Sequence, residues 1–316
     1  MANQKWGESF LKSGLPLEHL TLLALKSIGW ECELHYEYFR RNRENQLQRF
    51  EHDVIAYSPS SEKGLLRLLI ECKYHDESRF WIFLPCETED HLAQYGALDA
   101  GANLHVNSAV IHSAPFECLA NPENESLLSL APKCVWGVTV SMDGTRQPNA
   151  IEEATKQIAF GFVPYCLDSY YGFHNSSAIS ILPVIVTSAR LFRLKPNITS
   201  FEAVRRATSP DVIADELPWL WYYHAPNGDL LDHNMDKIDA YKRQSKYAGK
   251  KLVAEQLLSL WTFPHWIAVL NIDAVASAVT QIYDDFISLP KNFLGDKLIA
   301  AIWKERARER AARRRK

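Results

Sequence analysis

A chain of 316 residues has room for one large domain or two ordinary ones. Its 47% apolar and 23% charged content is that of a globular protein, which excludes a disordered or fibrous chain, and no apolar run approaches the about 18 residues of a membrane span. The net charge of −3 argues against a nucleic-acid partner until its distribution is read: residues 304–316 hold eight basic and two acidic side chains, a local +6 that leaves −9 for the rest.

The first residues, Met1 to Gly7, lack the apolar stretch of a signal peptide. Residues 13–29 predict a helix, opened by Ser13 or Gly14 with Pro16 in its first turn and ended by Gly29. Leu17, Leu20, Ala24 and Ile28 make one stripe, and Leu22, Leu23 and Leu25 fill much of the rest, so the helix is expected to be buried nearly all round. Glu18 then either needs a partner or is an exposed first-turn acid favoured by the helix dipole. Trp30 to Arg40 alternates as a strand and ends in Arg40, Arg41 and Arg43, which could meet phosphates or form a solvated turn.

Two runs follow that organise the chain. Phe50 to Tyr57 is strand-like and carries Asp53, while Leu68-Leu69-Ile70-Glu71-Cys72-Lys73-Tyr74 reads as a buried strand ending in an acid and a base. Alternation puts Glu71 and Lys73 on one face and Ile70 and Cys72 on the other. Residues 59–64 have turn composition, so the two runs predict an antiparallel hairpin. An ordinary cross-strand ion pair would also explain Glu71 and Lys73. Their place among buried leucines weakens that reading, because charged groups are rarely buried without a partner.

Phe80 to Leu84 predicts a further strand, as do Ala109 to His112 and Cys134 to Val140 within an insertion at about 85–148. Glu87, Glu89, Asp90 and His91 suggest the start of a helix rather than a metal cluster. Residues 150–172 predict a helix, and Leu182 to Thr187 a central strand covered on both faces. Pro218 to Tyr223 and His265 to Asn271 read as strands, and 273–287 and 294–315 as helices. Lys237, Lys242, Arg243, Lys246, Lys250 and Lys251, interleaved with Tyr241 and Tyr247, form either a nucleic-acid track or a solvated face. The six cysteines form no C-x-x-C pair, which argues against a structural zinc site and suits a reducing cytoplasm. No P-loop, G-x-S-x-G or H-E-x-x-H is present.

Asp53 in His52-Asp53-Val54-Ile55-Ala56 and Glu71-Cys72-Lys73 in Leu69-Ile70-Glu71-Cys72-Lys73 resemble the motif of the PD-(D/E)XK nuclease superfamily, and Glu18 resembles the extra acid of its Mrr-like members. His52 stands where the proline of the motif would be. The resemblance covers roughly residues 14–75. It implies an α/β, restriction-endonuclease-like mixed sheet flanked by helices. On this reading residues 1–200 form the nuclease-like domain, and 201–316 a C-terminal extension on the same sheet that ends in a basic helix.

The resemblance also implies a magnesium- or manganese-dependent nuclease that hydrolyses DNA, with defence against foreign DNA as a setting. The alternatives are an inactive nucleic-acid-binding or assembly subunit, or an RNA nuclease. Asp53 and Glu71 would hold the metal with the backbone carbonyl of Cys72, Lys73 would handle the attacking water, and Glu18 would assist. Lys156 and Gln157 are weak candidates for a helix residue aimed at the site. Magnesium suits such a set because it prefers oxygen ligands and keeps several of its waters. The expected partner is DNA, or RNA in the alternative, with a homodimer or partner subunit also allowed and no membrane. Arg306, Arg310, Arg313, Arg314 and Arg315 would contact phosphates.

Overall fold

The computed structural model describes residues 5–41, 44, 46–61, 65–86, 130–143, 149–172, 179–244, 264 and 266–288. Two helices, α1 (Lys5–Lys12) and α2 (Leu15–Ser27), lead into β1 (Glu31–Arg41), β2 (Leu47–Tyr57), β3 (Leu65–Lys73) and β4 (Arg79–Pro85). Next come β5 (Lys133–Ser141), α3 (Ala150–Gly172), β6 (Ile179–Thr187) and β7 (Arg190–Leu194). The short helices α4 (Phe201–Arg206) and α5 (Pro210–Ile213) precede β8 (Ala214–Leu217) and β9 (Trp219–Tyr223). Then follow α6 (Gly228–Gln244), β10 (Trp266–Asn271) and α7 (Val275–Ser288).

All ten strands join one mixed sheet in the order β1-β2-β3-β6-β10-β9-β5-β4-β7-β8. The architecture is therefore α/β, with helices on both faces. β2 and β3 pair antiparallel, as the hairpin reading expects, and β3, β6 and β10 run parallel in the middle. These central strands read as continuous apolar runs because each face meets a separate core. Leu66, Leu68, Ile70, Val184, Val186, Ala268 and Leu270 pack on one face with Leu17 and Leu25 of α2 and with Val279 and Ile282 of α7. Leu69, Ile181, Ile185, Ile267 and Val269 pack on the other with Ile158 and Phe162 of α3 and with Ile238 of α6. Each Val, Leu, Ile or Phe among them, fully buried, contributes about 1.5–3 kcal/mol. Among the described residues no helix is long and apolar enough to cross a membrane.

The N-terminal helix α2 opens where the sequence places it: Gly14 caps it at φ 83°, a left-handed conformation that glycine adopts without strain, and Pro16 lies in its first turn. The preceding helix α1 was not expected, and α2 is not buried all round. Leu17, Thr21 and Leu25, spaced i, i+4, i+8, face the sheet, whereas Leu15, Leu20 and Leu23 stay about half exposed. Only one stripe of α2 can reach the sheet, and α1, which buries none of its own residues, does not cover the rest. The Tyr-interleaved reading of residues 237–251 changes too. Tyr241 is buried in the second core, and Lys242 pairs with Asp239. Residues 245–251 lie outside the described residues, as do Arg43, the 87–91 acidic cluster, the 109–112 strand and the whole 289–316 segment with Arg306, Arg310, Arg313, Arg314 and Arg315.

Candidate active site

The β2–β3 ladder runs from Tyr57–Arg67 to Val54–Ile70 and stops there. Beyond that point β3 stays with β6 as far as the Lys73–Thr187 pair, while β2 stays with β1 as far as Leu47–Arg41. The strands part at Asp53 and Glu71, and the fork between them holds the candidate site. One Asp53 oxygen, Oδ2, accepts the backbone N–H of Cys72 at 2.6 Å, so the carboxylate bridges the fork where a strand partner would have been. Thr187 Oγ1 donates to the Lys73 carbonyl at 2.8 Å and fixes the end of β3.

A local irregularity prepares this arrangement. Residues two apart normally share a face of a strand. Yet Cys32, Val54 and Ala56 belong to the α2 side, while Tyr36, Tyr38, Phe50 and His52 pack on the α3 side. The alternation reverses at His35 and Asp53, the two positions that drop out of the β1–β2 ladder. His35 sits at φ 63°, the only positive φ of a non-glycine among the described residues.

Glu71 Oε1 lies 2.9 Å from Lys73 Nζ, which also donates to Gln157 Oε1 and stands 3.8 Å from Glu153 on α3. The α3 N-terminus delivers these groups: Asn149 Oδ1 accepts the Glu152 N–H, and the acids of the first turn suit the helix dipole. Glu153 and Gln157, one turn apart, then share the face over Lys73. Of the two helix candidates Gln157 reaches the site. Lys156 instead pairs with Glu152.

His52, wholly buried, places Nδ1 3.8 Å from Glu71 Oε2 and stacks near Tyr36 and Tyr38. Its other side is closed by Gly161 of α3, where a Cβ would fall 1.8 Å from Nε2. Sequence reading missed His52, Glu153 and Gly161 as members of the site. A glycine inside the helical run Ala159-Phe160-Gly161-Phe162 costs about 1 kcal/mol relative to alanine, and that was the available sign of a close approach.

The charges are unbalanced. Burial pushes the Asp53 carboxyl up to about 7, and the charge of Glu71 adds to it; the Cys72 N–H and Lys73 only partly oppose this. Burial likewise pushes Glu71 up to about 7 against the pull of Lys73. Burial works to lower the Lys73 ammonium, but Glu71, Glu153 and Asp53 outweigh it and hold the lysine charged. Lys73 rises through its partner while Glu71 rises despite it, because one ammonium serves two deep carboxyls. Glu18, half-buried on α2, is raised by burial and then by Asp53. Burial lowers His52 to about 3 and keeps it neutral. The predicted residues Asp53, Glu71, Lys73 and Glu18 are thus brought into one electrostatic cluster, with α2 on one side of the sheet and α3 on the other.

The donor set fits a hard cation in part. Glu71 Oε2 is buried without a hydrogen bond, and one carboxylate of the pair lacks a counter-charge. Two carboxylates are also the usual protein share of a magnesium shell. Among the described residues, however, no three His, Cys, Asp or Glu side chains stand close enough to share an ion. Among the described residues a third protein ligand would then be a backbone carbonyl or an amide side chain rather than another acid, thiol or imidazole. Comparison with known proteins returns nothing: no family model, no curated protein and no solved structure matches the chain.

Proposed function

We propose that this chain is a divalent-cation-dependent nuclease of the restriction-endonuclease-like fold that hydrolyses phosphodiester bonds, DNA being the substrate first in line. The observation that carries the reading is the fork at Asp53 and Glu71, where a half-buried and a buried carboxyl, both raised to about 7, share a single lysine. Perturbed groups of this kind concentrate at functional sites. A magnesium or manganese ion bound by Asp53 and Glu71, with the Cys72 carbonyl as backbone ligand, would polarise a phosphate oxygen and acidify water. Lys73 holds its proton, so its role at the start is to orient the water and to meet charge developing on the phosphate. Gln157 and Glu153 keep the ammonium in place from α3. His52, neutral and wedged by Gly161, limits where the Glu71 carboxylate can swing.

One observation favours a second reading, a nucleic-acid-binding module without turnover. Asp53 spends an oxygen on the Cys72 N–H and Glu71 spends one on Lys73, and among the described residues no third acidic ligand stands close enough. The experiment that decides is incubation of the full chain with plasmid DNA, linear DNA and RNA, with and without magnesium or manganese. Cation-dependent cleavage that disappears in Asp53→Ala, Glu71→Ala and Lys73→Ala supports the nuclease. Full activity in a folded Asp53→Ala or Glu71→Ala would remove it, and binding without cleavage under every cation selects the second reading.

A further inference from the structure

The β1–β2 ribbon continues past the fork. Its ladder runs on through Tyr36–His52, Tyr38–Phe50 and Arg40–Gln48 after β3 has left β2. Over this stretch the alternation is regular, and the two faces differ. One carries Glu37 and Glu51, both engaged by Arg49. The other turns Tyr36, Tyr38, Phe50, His52 and Arg40 toward α3.

Arg40 differs from the other arginines of the sheet. Arg49, Arg79, Arg190 and Arg193 each pair with a carboxylate. Arg40, half-buried, pairs with none among the described residues; its guanidinium lies 4.0 Å from the centre of the Phe160 ring and 5.8 Å from that of Phe50. Aromatic faces hold a cation in place without neutralising it. The surrounding field is positive as well. Burial lowers His233, which packs on Phe160, to about 4, and the charges of Lys237 and Arg40 push the same way. A phosphate arriving there would meet a fork of donors that is already oriented.

Two routes tie Arg40 to the candidate active site. On α3, Glu153, Gln157 and Phe160 stand at i, i+4 and i+7, one stripe that meets Lys73 at its start and Arg40 at its end. On the ribbon, His52 Nδ1 lies 3.8 Å from Glu71 Oε2, the His52 ring stacks on Tyr38 at 5.0 Å, and Tyr38 stacks at 5.6 Å on Phe50, beside Arg40. The Tyr38 phenol accordingly feels Glu71 and Arg40 with opposite sign. Seven helical residues rise about 10 Å, which spans about three nucleotides of one DNA strand at roughly 3.4 Å each. We infer that Arg40 is a phosphate-binding residue that grips the DNA backbone about three nucleotides from the phosphate held at Asp53, Glu71 and Lys73, an inference that rests on the nuclease reading.

The test measures binding of the full chain to a fluorescein-labelled duplex DNA in EDTA, by anisotropy over a series of salt concentrations. Arg40→Met keeps an apolar stem over Phe160 and removes the charge. Arg40→Gln replaces it if melting curves show that the Met variant does not fold. The folded variant should lower the slope of log affinity against log salt by about 0.9 and weaken Kd about tenfold at low salt, alike for unrelated sequences. Arg40→Lys, which keeps the charge, should keep the slope, and Arg49→Met, on the opposite face, should change neither slope nor affinity. A wild-type slope in the folded charge-removing variant would overturn the proposal and leave Arg40 as packing for Phe160. A loss shared equally by Arg49→Met, or a wild-type chain without affinity for DNA at low salt, would overturn it too. The two readings separate. A slope lowered by Arg40→Met in a chain that cuts nothing with magnesium or manganese keeps the Arg40 contact and removes hydrolysis. Cation-dependent cleavage with an unchanged slope does the reverse.

Discussion

Replacing Asp53 by Asn tests the electrostatics of the fork directly. The carboxyl dissociates near 3.8 when unfolded and about 7 when folded. Below 3.8 both states are protonated and the group has no effect on stability. Between 3.8 and 7 the unfolded chain ionises while the folded chain keeps its proton, so stability is lost as pH rises through this window and the penalty levels off above 7. The gap corresponds to about 4 kcal/mol at pH 8, and to under about 2 kcal/mol at pH 5, before screening by the solvent that reaches a partly exposed group. Asn removes the charge and keeps an oxygen to accept the Cys72 N–H. Asp53→Asn should therefore be more stable than wild type at pH 8 in EDTA, and the gain should shrink by more than half at pH 5. For a domain of this size each kcal/mol moves Tm by about 2 °C, so the pH 8 gain should be several degrees by thermal melting, with urea titration as the cross-check. A variant no more stable than wild type at pH 8, or a gain that does not fall with pH, would refute the placement of an uncompensated carboxyl at Asp53.

The same logic predicts that magnesium in excess raises the wild-type Tm at pH 8, since a ligand that binds only the folded state stabilises it by mass action, and that Asp53→Asn loses this gain; equal shifts in both would place the ion elsewhere. Gly161→Ala should destabilise by about 1–3 kcal/mol or more, because its Cβ would meet the His52 ring at 1.8 Å, and the double variant Gly161→Ala/His52→Ala should recover part of the loss; a neutral Gly161→Ala in a denaturation series would show that α3 does not press on His52. Deleting residues 304–316 should flatten the dependence of DNA affinity on salt, by roughly 0.9 in log–log slope for each phosphate contact that Arg306, Arg310, Arg313, Arg314 or Arg315 makes. An unchanged slope would show that the tail does not touch the backbone.

Much of the central sheet was legible because its residues are locally consistent. Leu182 to Thr187 and Trp266 to Asn271 are apolar without alternation, which two-sided burial requires, and both became inner strands. The order of those strands was not legible. Pairing of β6 with β10, and of β9 with β5, joins segments far apart in sequence through side chains that would serve equally well at other positions. The outer strands β7 and β8 escaped notice for a related reason. They are short, and β8 (Ala214–Leu217) contains Asp215 and Glu216, which pair with Arg193 and Arg190 of β7 rather than forming an apolar pattern. The exposure of Leu20 and Leu23 was hidden in the opposite way. Their residue types suit a core, and only the tertiary neighbours of α2 leave them outside.

The site itself was legible where its chemistry uses rare residues and illegible where it uses backbone. Asp53, Glu71 and Lys73 stand out because charged groups interrupt buried strands. Their geometry nevertheless departs from a plain hairpin, in which Asp53 would stand on a sheet face opposite Glu71. A side chain held on a face projects away from the plane of the strands, whereas the Cys72 N–H lies in it. For Asp53 to accept that N–H, the β2–β3 ladder has to end and β2 has to leave its regular alternation. His35, across from Asp53 on β1, turns into the left-handed region at the same level, a conformation that costs on the order of 1–3 kcal/mol for a non-glycine and persists only where its surroundings impose it. The same reversal turns His52 onto the α3 face, where Gly161 leaves space for its ring. The strained residue, the interrupted ladder, the buried histidine and the bridging carboxylate are thus consequences of one local departure from strand geometry, and it lies where the unbalanced charges converge.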